Sequence, residues 1–224
     1  MDTASTPARK GDKGIVMEGM LANWYARNTA TVLADFEADA RRIARRLDPG
    51  ARVLEIAPGP GYLAVALARL GPHRVTGLDI SRSFVRIAGK NAARAGVQVD
   101  FKYGDASAML LAADSFDFIV CRAAFKNFAD PKGALSEMHR VLAPGGEALI
   151  IDMRGDATDA AIDDHMAEMA LSRLDRLITG YIFRHTLRAR AYTKAEFERL
   201  VSTSPFGQCE VSEDPLGMDV WLRR

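Results

Sequence analysis

Three short segments of this 224-residue chain combine acids and glycines in a way that could do chemistry. The first is Glu55-Ile56-Ala57-Pro58-Gly59-Pro60-Gly61, where an apolar stretch runs into a turn. Glycine tolerates positive φ and lets a ligand approach the backbone closely. A helix N-terminus after such a turn presents unpaired N–H groups to a polar ligand. The second segment is Asp79-Ile80, whose carboxylate can accept hydrogen bonds from ribose hydroxyls. The third is Gly104-Asp105-Ala106, whose acid can reach an adenine amino group. Together they point to the binding of an adenosine-bearing molecule. The run Gly59-Pro60-Gly61-Tyr62-Leu63-Ala64 also satisfies the G-x-G-x-x-A dinucleotide fingerprint. The loop and Asp79 alone therefore leave a nicotinamide cofactor open.

The elements that must position these residues alternate between strand and helix. Arg52 to Ala57 reads as a strand, Leu63 to Leu70 as a helix and His73 to Ile80 as a second strand. Ser81 can cap the next helix, whose apolar face holds Phe84, Ile87 and Ala88. Val97, Val99, Phe101 and Tyr103 alternate as a third strand, and Phe116 to Arg122 form a fourth. Asp130-Pro131 opens a helix that Pro144-Gly145-Gly146 is expected to end, and Glu147 to Asp152 form a fifth strand. Thr193 to Glu196 is a capping box, and Gln208–Ser212 and Met218–Leu222 read as a closing antiparallel hairpin. Such alternation predicts an α/β, doubly wound, Rossmann-like seven-stranded sheet, mostly parallel with an antiparallel C-terminal hairpin. N-terminal helices precede it. A helical insertion over residues 153–192 follows strand 5. Residues 1–14 are expected to form a flexible tail and 15–224 a single domain.

In combination these features resemble the class I S-adenosylmethionine (SAM)-dependent methyltransferases, in particular the UbiE-like group also known as methyltransferase type 11. The fourth strand Phe116 to Cys121 and the run Arg140 to Gly146 belong to the resemblance, which covers residues 48–152. It implies that Glu55 supports the loop near the methionine amino group, and that Gly59 and Gly61 pass under the cofactor with Tyr62 following. By the same resemblance Asp79 binds ribose and Ile80 lines the adenine, while Gly104, Asp105 and Ala106 meet the adenine edge. Cys121 and Arg122 would flank the methionine part. One departure is Ala57, where the family frequently has its first loop glycine. The implied activity is transfer of a methyl group from SAM to a small-molecule acceptor, leaving S-adenosylhomocysteine (SAH), with orientation as the main catalytic contribution. A SAM-binding protein without catalysis, or a nicotinamide-dependent reductase, are the alternatives. The reductase leaves Asp105-Ala106 and the hairpin unexplained.

Three segments could face the acceptor. The first holds Met17, Met20, Trp24 and Tyr25. The second is Phe125 to Phe128, offering Lys126 and Asn127 where UbiE-like enzymes often place a histidine; a solvated loop lysine is the plainer reading. The third is the insertion, with Arg154, Tyr181, His185 and Arg188. Its arginines Arg184, Arg188 and Arg190 read as a solvated face or as partners for an acidic acceptor, and Arg41, Arg42, Arg45 and Arg46 likewise as a solvated face. His139 reads as structural. The candidate catalytic residues are thus Tyr25, Lys126, Asn127 and His185.

Composition narrows the setting. A net charge of +1 argues against nucleic acid as a partner. Two cysteines, Cys121 and Cys209, make neither a disulfide framework nor a metal cluster, which fits a cytoplasmic protein without a metal. The absence of an apolar span argues against a membrane, and a monomer or homodimer is expected.

Overall fold

The computed structural model describes residues 33–168 and 179–224. Its centre is a seven-stranded sheet of order β3-β2-β1-β4-β5-β7-β6. The strands are β1 (Arg52–Ile56), β2 (Arg74–Asp79), β3 (Asp100–Tyr103), β4 (Phe116–Arg122), β5 (Leu142–Met153), β6 (Glu210–Glu213) and β7 (Gly217–Arg223). β1 to β5 pair in parallel, β7 runs antiparallel to both β5 and β6. Strand order reverses between β1 and β4, so the crevice for a ligand opens at their carboxyl ends.

Alternation along each strand separates two faces. Val53, Phe118, Val120 and Leu149 pack with Ala40 and Ile43 of α1 (Leu33–Ala44) and with Leu63, Ala64 and Leu67 of α2 (Tyr62–Leu70). Leu54, Ile56, Ile119, Cys121 and Ile150 pack on the other face. Their partners are Leu135 and Met138 of α4 (Pro131–Val141) and Phe197 and Val201 of α6 (Lys194–Ser202). α3 (Arg82–Ala95) joins β2 to β3, with the Ser81 hydroxyl accepting from the Phe84 N–H at 3.1 Å. The other two expected caps are also present: Asp130 accepts from Gly133, and Thr193 and Glu196 exchange bonds reciprocally.

Some boundaries differ from the sequence reading. β3 starts at Asp100, so Val97 and Val99 lie outside it. α4 stops at Val141, and Pro144-Gly145-Gly146 lies inside β5. There it forms an excursion that shifts the pairing from Phe116↔Leu142 to Phe118↔Glu147. Gly145 takes a φ of 79°, and its N–H donates to the Arg224 carbonyl. The arginine run of α1 is more than a solvated face. Arg42 pairs with Asp39 and Asp219, and Arg46 pairs with Glu147 while stacking 4.4 Å from the Trp221 ring. Arg42 thus bolts α1 to β7, and Arg46, just past its end, fastens the following turn to β5.

The insertion has a small core of its own. Met153, Ala157, Ile162 and Met166 pack with Phe183, Leu187, Ala191 and Leu216. α5 (Asp159–Glu168) faces a π-helical turn over Phe183–Leu187. At the neck the Gly155 N–H donates to the Tyr192 carbonyl at 2.9 Å, and a Cβ on Gly155 would stand 2.5 Å from the Ala191 oxygen. Arg184 pairs with Asp159 and Asp163, and Arg188 with Asp159. These two arginines are neutralised within the insertion, which removes them as free partners for an acidic acceptor. Met169, Leu174, Leu177 and Ile178 lie outside the described residues.

Gly61 is the tightest of the loop glycines. Its φ is 79°, and an added Cβ would meet Ala88 Cβ and the Phe101 ring, both at 2.8 Å. Gly61→Ala is expected to cost about 2–4 kcal/mol, combining overpacking with a left-handed alanine. A fall in the urea midpoint at unchanged slope is the measurement that checks it.

Candidate functional site

The chain leaves β1 through a left-handed turn. Ala57 has φ 55°, Gly59 53° and Gly61 79°. This explains the departure at Ala57: the position needs positive φ, which glycine adopts freely and alanine only at a cost of roughly 1–2 kcal/mol. The strain is held by the Ala57 N–H bond to Leu78 O at 2.8 Å. A Cβ on Gly59 would meet nothing within 4 Å, so its backbone is bare for a ligand.

Asp79 ends β2, almost fully buried. One carboxylate oxygen accepts from the Gly59 N–H at 3.0 Å and the other from the Ser81 N–H at 2.7 Å. The acid therefore shapes the loop from its neighbouring strand. Both carboxylate oxygens are thus held by backbone N–H groups of the loop and of the turn after β2. Ile80, half-buried, follows it. At the end of β3, Asp105 Oδ1 accepts from both the N–H and the hydroxyl of Ser107 at 2.8 Å. Gly104 is drawn in by its N–H bond to Asp79 O at 3.0 Å, so the two acid-bearing turns are tied together. Ala106 packs against the core.

Glu55 is the least compensated polar group of the site. It is 3% exposed, and among the described residues Oε2 has no hydrogen-bond partner. Burial pushes its pKa up to about 8, against the pull of the Ala64 N–H and the Arg122 charge. Glu55 and Arg122 share the α1 face of the sheet by strand alternation. Arg122 donates from Nε to Asp39 at 2.7 Å and lies 4.2 Å from the Phe36 ring. Phe36 also packs against Tyr62, with ring centroids 5.7 Å apart.

Cys121 points the other way. It is fully buried in the cluster with α4 and α6, and burial raises its thiol pKa well above the usual value. Its side chain therefore does not accompany Arg122 toward the methionine end; only its backbone lies there.

Lys126 is not the solvated loop lysine expected. It is 4% exposed and sits in a 3-10 turn, Phe125–Asn127. Its Nζ donates to Asp152 at 2.6 Å and to Ala123 O at 2.7 Å, and its backbone N–H donates to the same carboxylate at 3.0 Å. An ammonium so occupied is a fastening for the turn rather than a free base. Asn127 has a buried Oδ1 without a partner. His185 is exposed and stacks 4.5 Å from Tyr181, away from this cluster of strand ends in sequence and burial. His139 packs edge-on to Phe206, as a structural residue should. Met17, Met20, Trp24 and Tyr25 lie outside the described residues. Sequence reasoning missed Asp39, Phe36 and Asp152. Only Asp152 carried a signal, an acid closing an apolar strand as Asp79 does.

Residues 54–150, the span from β1 to β5, match a family model described as a methyltransferase domain. Over that span the chain is similar to the SAM-dependent methyltransferases. Over 126 residues it is 36% identical to a demethylmenaquinone methyltransferase of Thermus thermophilus, covering 54% of this chain and 57% of that one. It is 28% identical to an uncharacterised methyltransferase of Bacillus subtilis, covering 77% and 64%. The chain thus spans under two thirds of the length of these curated relatives. A putative SAM-dependent methyltransferase from Methanococcus maripaludis shares the fold with a TM-score of 0.74 at 22% identity, over 97% of this chain and 95% of that one. Among the described residues of the methyltransferase fold, no helix is long and apolar enough to cross a membrane.

Two outcomes follow from the buried charges. The native Glu55 holds a proton between pH 4.5 and about 8 that the unfolded chain releases, so its contribution to stability is greatest below 4.5 and is lost as pH rises to 8. Relative to wild type, Glu55→Gln should gain melting temperature steadily across that window, read by scanning calorimetry at a series of pH values. Lys126→Met leaves the Asp152 carboxylate buried and unpaired and should cost about 3–5 kcal/mol in urea unfolding. Adding Asp152→Asn should recover part of that loss.

Proposed function

We propose that this chain transfers the methyl group of SAM to a small organic acceptor. The observation that carries the reading is the buried, unpartnered Glu55 oxygen beside a left-handed glycine loop at the strand-order switch. An ammonium group supplies the donor that this oxygen lacks, and a bare Gly59 backbone admits a ligand against the loop. The residues present therefore fit SAM. Glu55 would hold its amino group, Asp79 its ribose, and Asp105 with Ala106 its adenine edge.

When bound, SAM supplies a methyl group on a positively charged sulfur. The chain's part is to orient the acceptor in line with that carbon and to keep water out, a contribution of about 7–11 kcal/mol in well-aligned systems. A protein base is required only if the acceptor keeps its proton at neutral pH. Lys126 is committed to Asp152, so no step is assigned to it; Asn127, with its free buried carbonyl oxygen, is the better-placed group to orient an acceptor through a hydrogen bond. Relatives named for demethylmenaquinone and ubiquinone biosynthesis support a small-molecule acceptor, which we place in the cytoplasm together with two unpaired cysteines. We also infer that residues 15–224 act as one domain, with 153–192 covering the acceptor.

Thermal-shift titration with SAM, SAH, NADH and NADPH tests the cofactor. Stabilisation by SAM and SAH is expected, and stabilisation by a nicotinamide alone would sink the reading. Asp79→Ala removes charged hydrogen bonds of about 1.5–3 kcal/mol each and should weaken SAH binding roughly ten- to a hundredfold in calorimetric titration. Turnover of methyl-labelled SAM against a metabolite extract separates a transferase from a binding protein.

A further inference from the structure

Arg122 and Glu55 lie on the same face of the sheet, near enough for the Arg122 charge to act on Glu55, with complementary deficits. Glu55 has a buried oxygen in need of a donor. Arg122 spends only its Nε, on Asp39; among the described residues its two Nη groups donate to nothing. A carboxylate-binding fork beside an ammonium-binding oxygen is the arrangement that recognises the two charged ends of an α-amino acid. The methionine end of SAM or SAH is such a group.

The fork stands where it does because of α1. Asp39 accepts the Arg122 Nε bond at 2.7 Å, with both side chains under one-fifth exposed. One helical turn earlier, Phe36 lies 4.2 Å beneath the guanidinium and also packs on Tyr62, the first residue after the glycine loop. Residues three apart share a helix face, so a single face of α1 grips both sides of the cofactor loop. Asp39 is itself braced, since Arg42 bridges it to Asp219 of β7.

We propose that Asp39 is a positioning residue of the cofactor site: through Arg122 it aims a guanidinium at the carboxylate of the bound amino-acid moiety, making α1 a working part of that site. The inference rests on the SAM reading above. Removing Asp39 leaves Arg122 on the Phe36 ring but free to turn. The loss then falls on ligands with an amino-acid end and spares those without one.

Calorimetric titration of the full chain with SAH and with 5′-methylthioadenosine, which lacks that end, tests it. Asp39→Asn should weaken SAH about tenfold, within the usual span of coupling between neighbouring groups, and leave 5′-methylthioadenosine unchanged. In an Arg122→Gln background Asp39→Asn should cost nothing further, and Asp39→Glu should keep part of the affinity. Asp219→Asn, which removes the brace but not the Asp39–Arg122 bond, should lower the melting temperature without changing SAH affinity. Equal losses for both ligands, or a loss that adds in full to that of Arg122→Gln, would overturn the proposal. So would an Asp219→Asn chain as weak for SAH as Asp39→Asn. A wild-type chain that binds 5′-methylthioadenosine and SAH equally also overturns it, and one that binds neither overturns the SAM reading itself.

Discussion

The bond from the Gly59 N–H to the Asp79 carboxylate holds the site together, because it joins two features that local propensity would keep apart. The chain must turn left-handed at Ala57, Gly59 and Gly61 as it leaves β1, and backbone in that region is costly for any residue but glycine. Asp79, buried at the tip of β2, supplies the acceptor that makes the turn worth adopting. Its own peptide oxygen then fastens Gly104, so the tips of β1, β2 and β3 form one hydrogen-bonded rim. One buried side chain thus sets the geometry of two neighbouring turns.

Behind that rim lie a buried ion pair and a buried lone acid, with opposite solutions to desolvation. Lys126 and Asp152 neutralise each other, and both backbone and side chain of the lysine are satisfied. Glu55 has no such partner and meets burial by holding its proton to an unusually high pH. A satisfied pair rigidifies the turn after β4. An unsatisfied acid stores a demand that a cationic ligand can meet. The difference separates the part of the crevice that is built from the part that waits for a cofactor.

Much of this could be read in the sequence. Glycine spacing, the acids closing β2 and β3, and the Ser81, Asp130 and Thr193 caps act over a few residues, so their signals survive without tertiary context. The antiparallel hairpin was visible from alternation alone. The misreadings arose where a distant segment decides. Pro144-Gly145-Gly146 looks like a helix stop, yet the backbone bonds of Gly145 and Gly146 to Arg224 draw it into β5. Lys126 looks solvated until β5 brings Asp152 against it. Arg42 and Arg46 look like a charged surface until β7 and β5 supply Asp219 and Glu147. Cys121 and Arg122 are neighbours in sequence, but the two-residue period of a strand sends them to opposite faces.

The described part of the insertion between β5 and α6 is tied at Gly155 to Tyr192, and its apolar cluster also takes in Leu216 from the β6–β7 connection. That cluster is therefore anchored on the β5–β7 edge of the sheet, away from the tips of β2 and β3. Substitutions within it act on that edge, while the rim of β1, β2 and β3 stays under separate constraint. The two regions can thus accumulate changes at different rates within one chain.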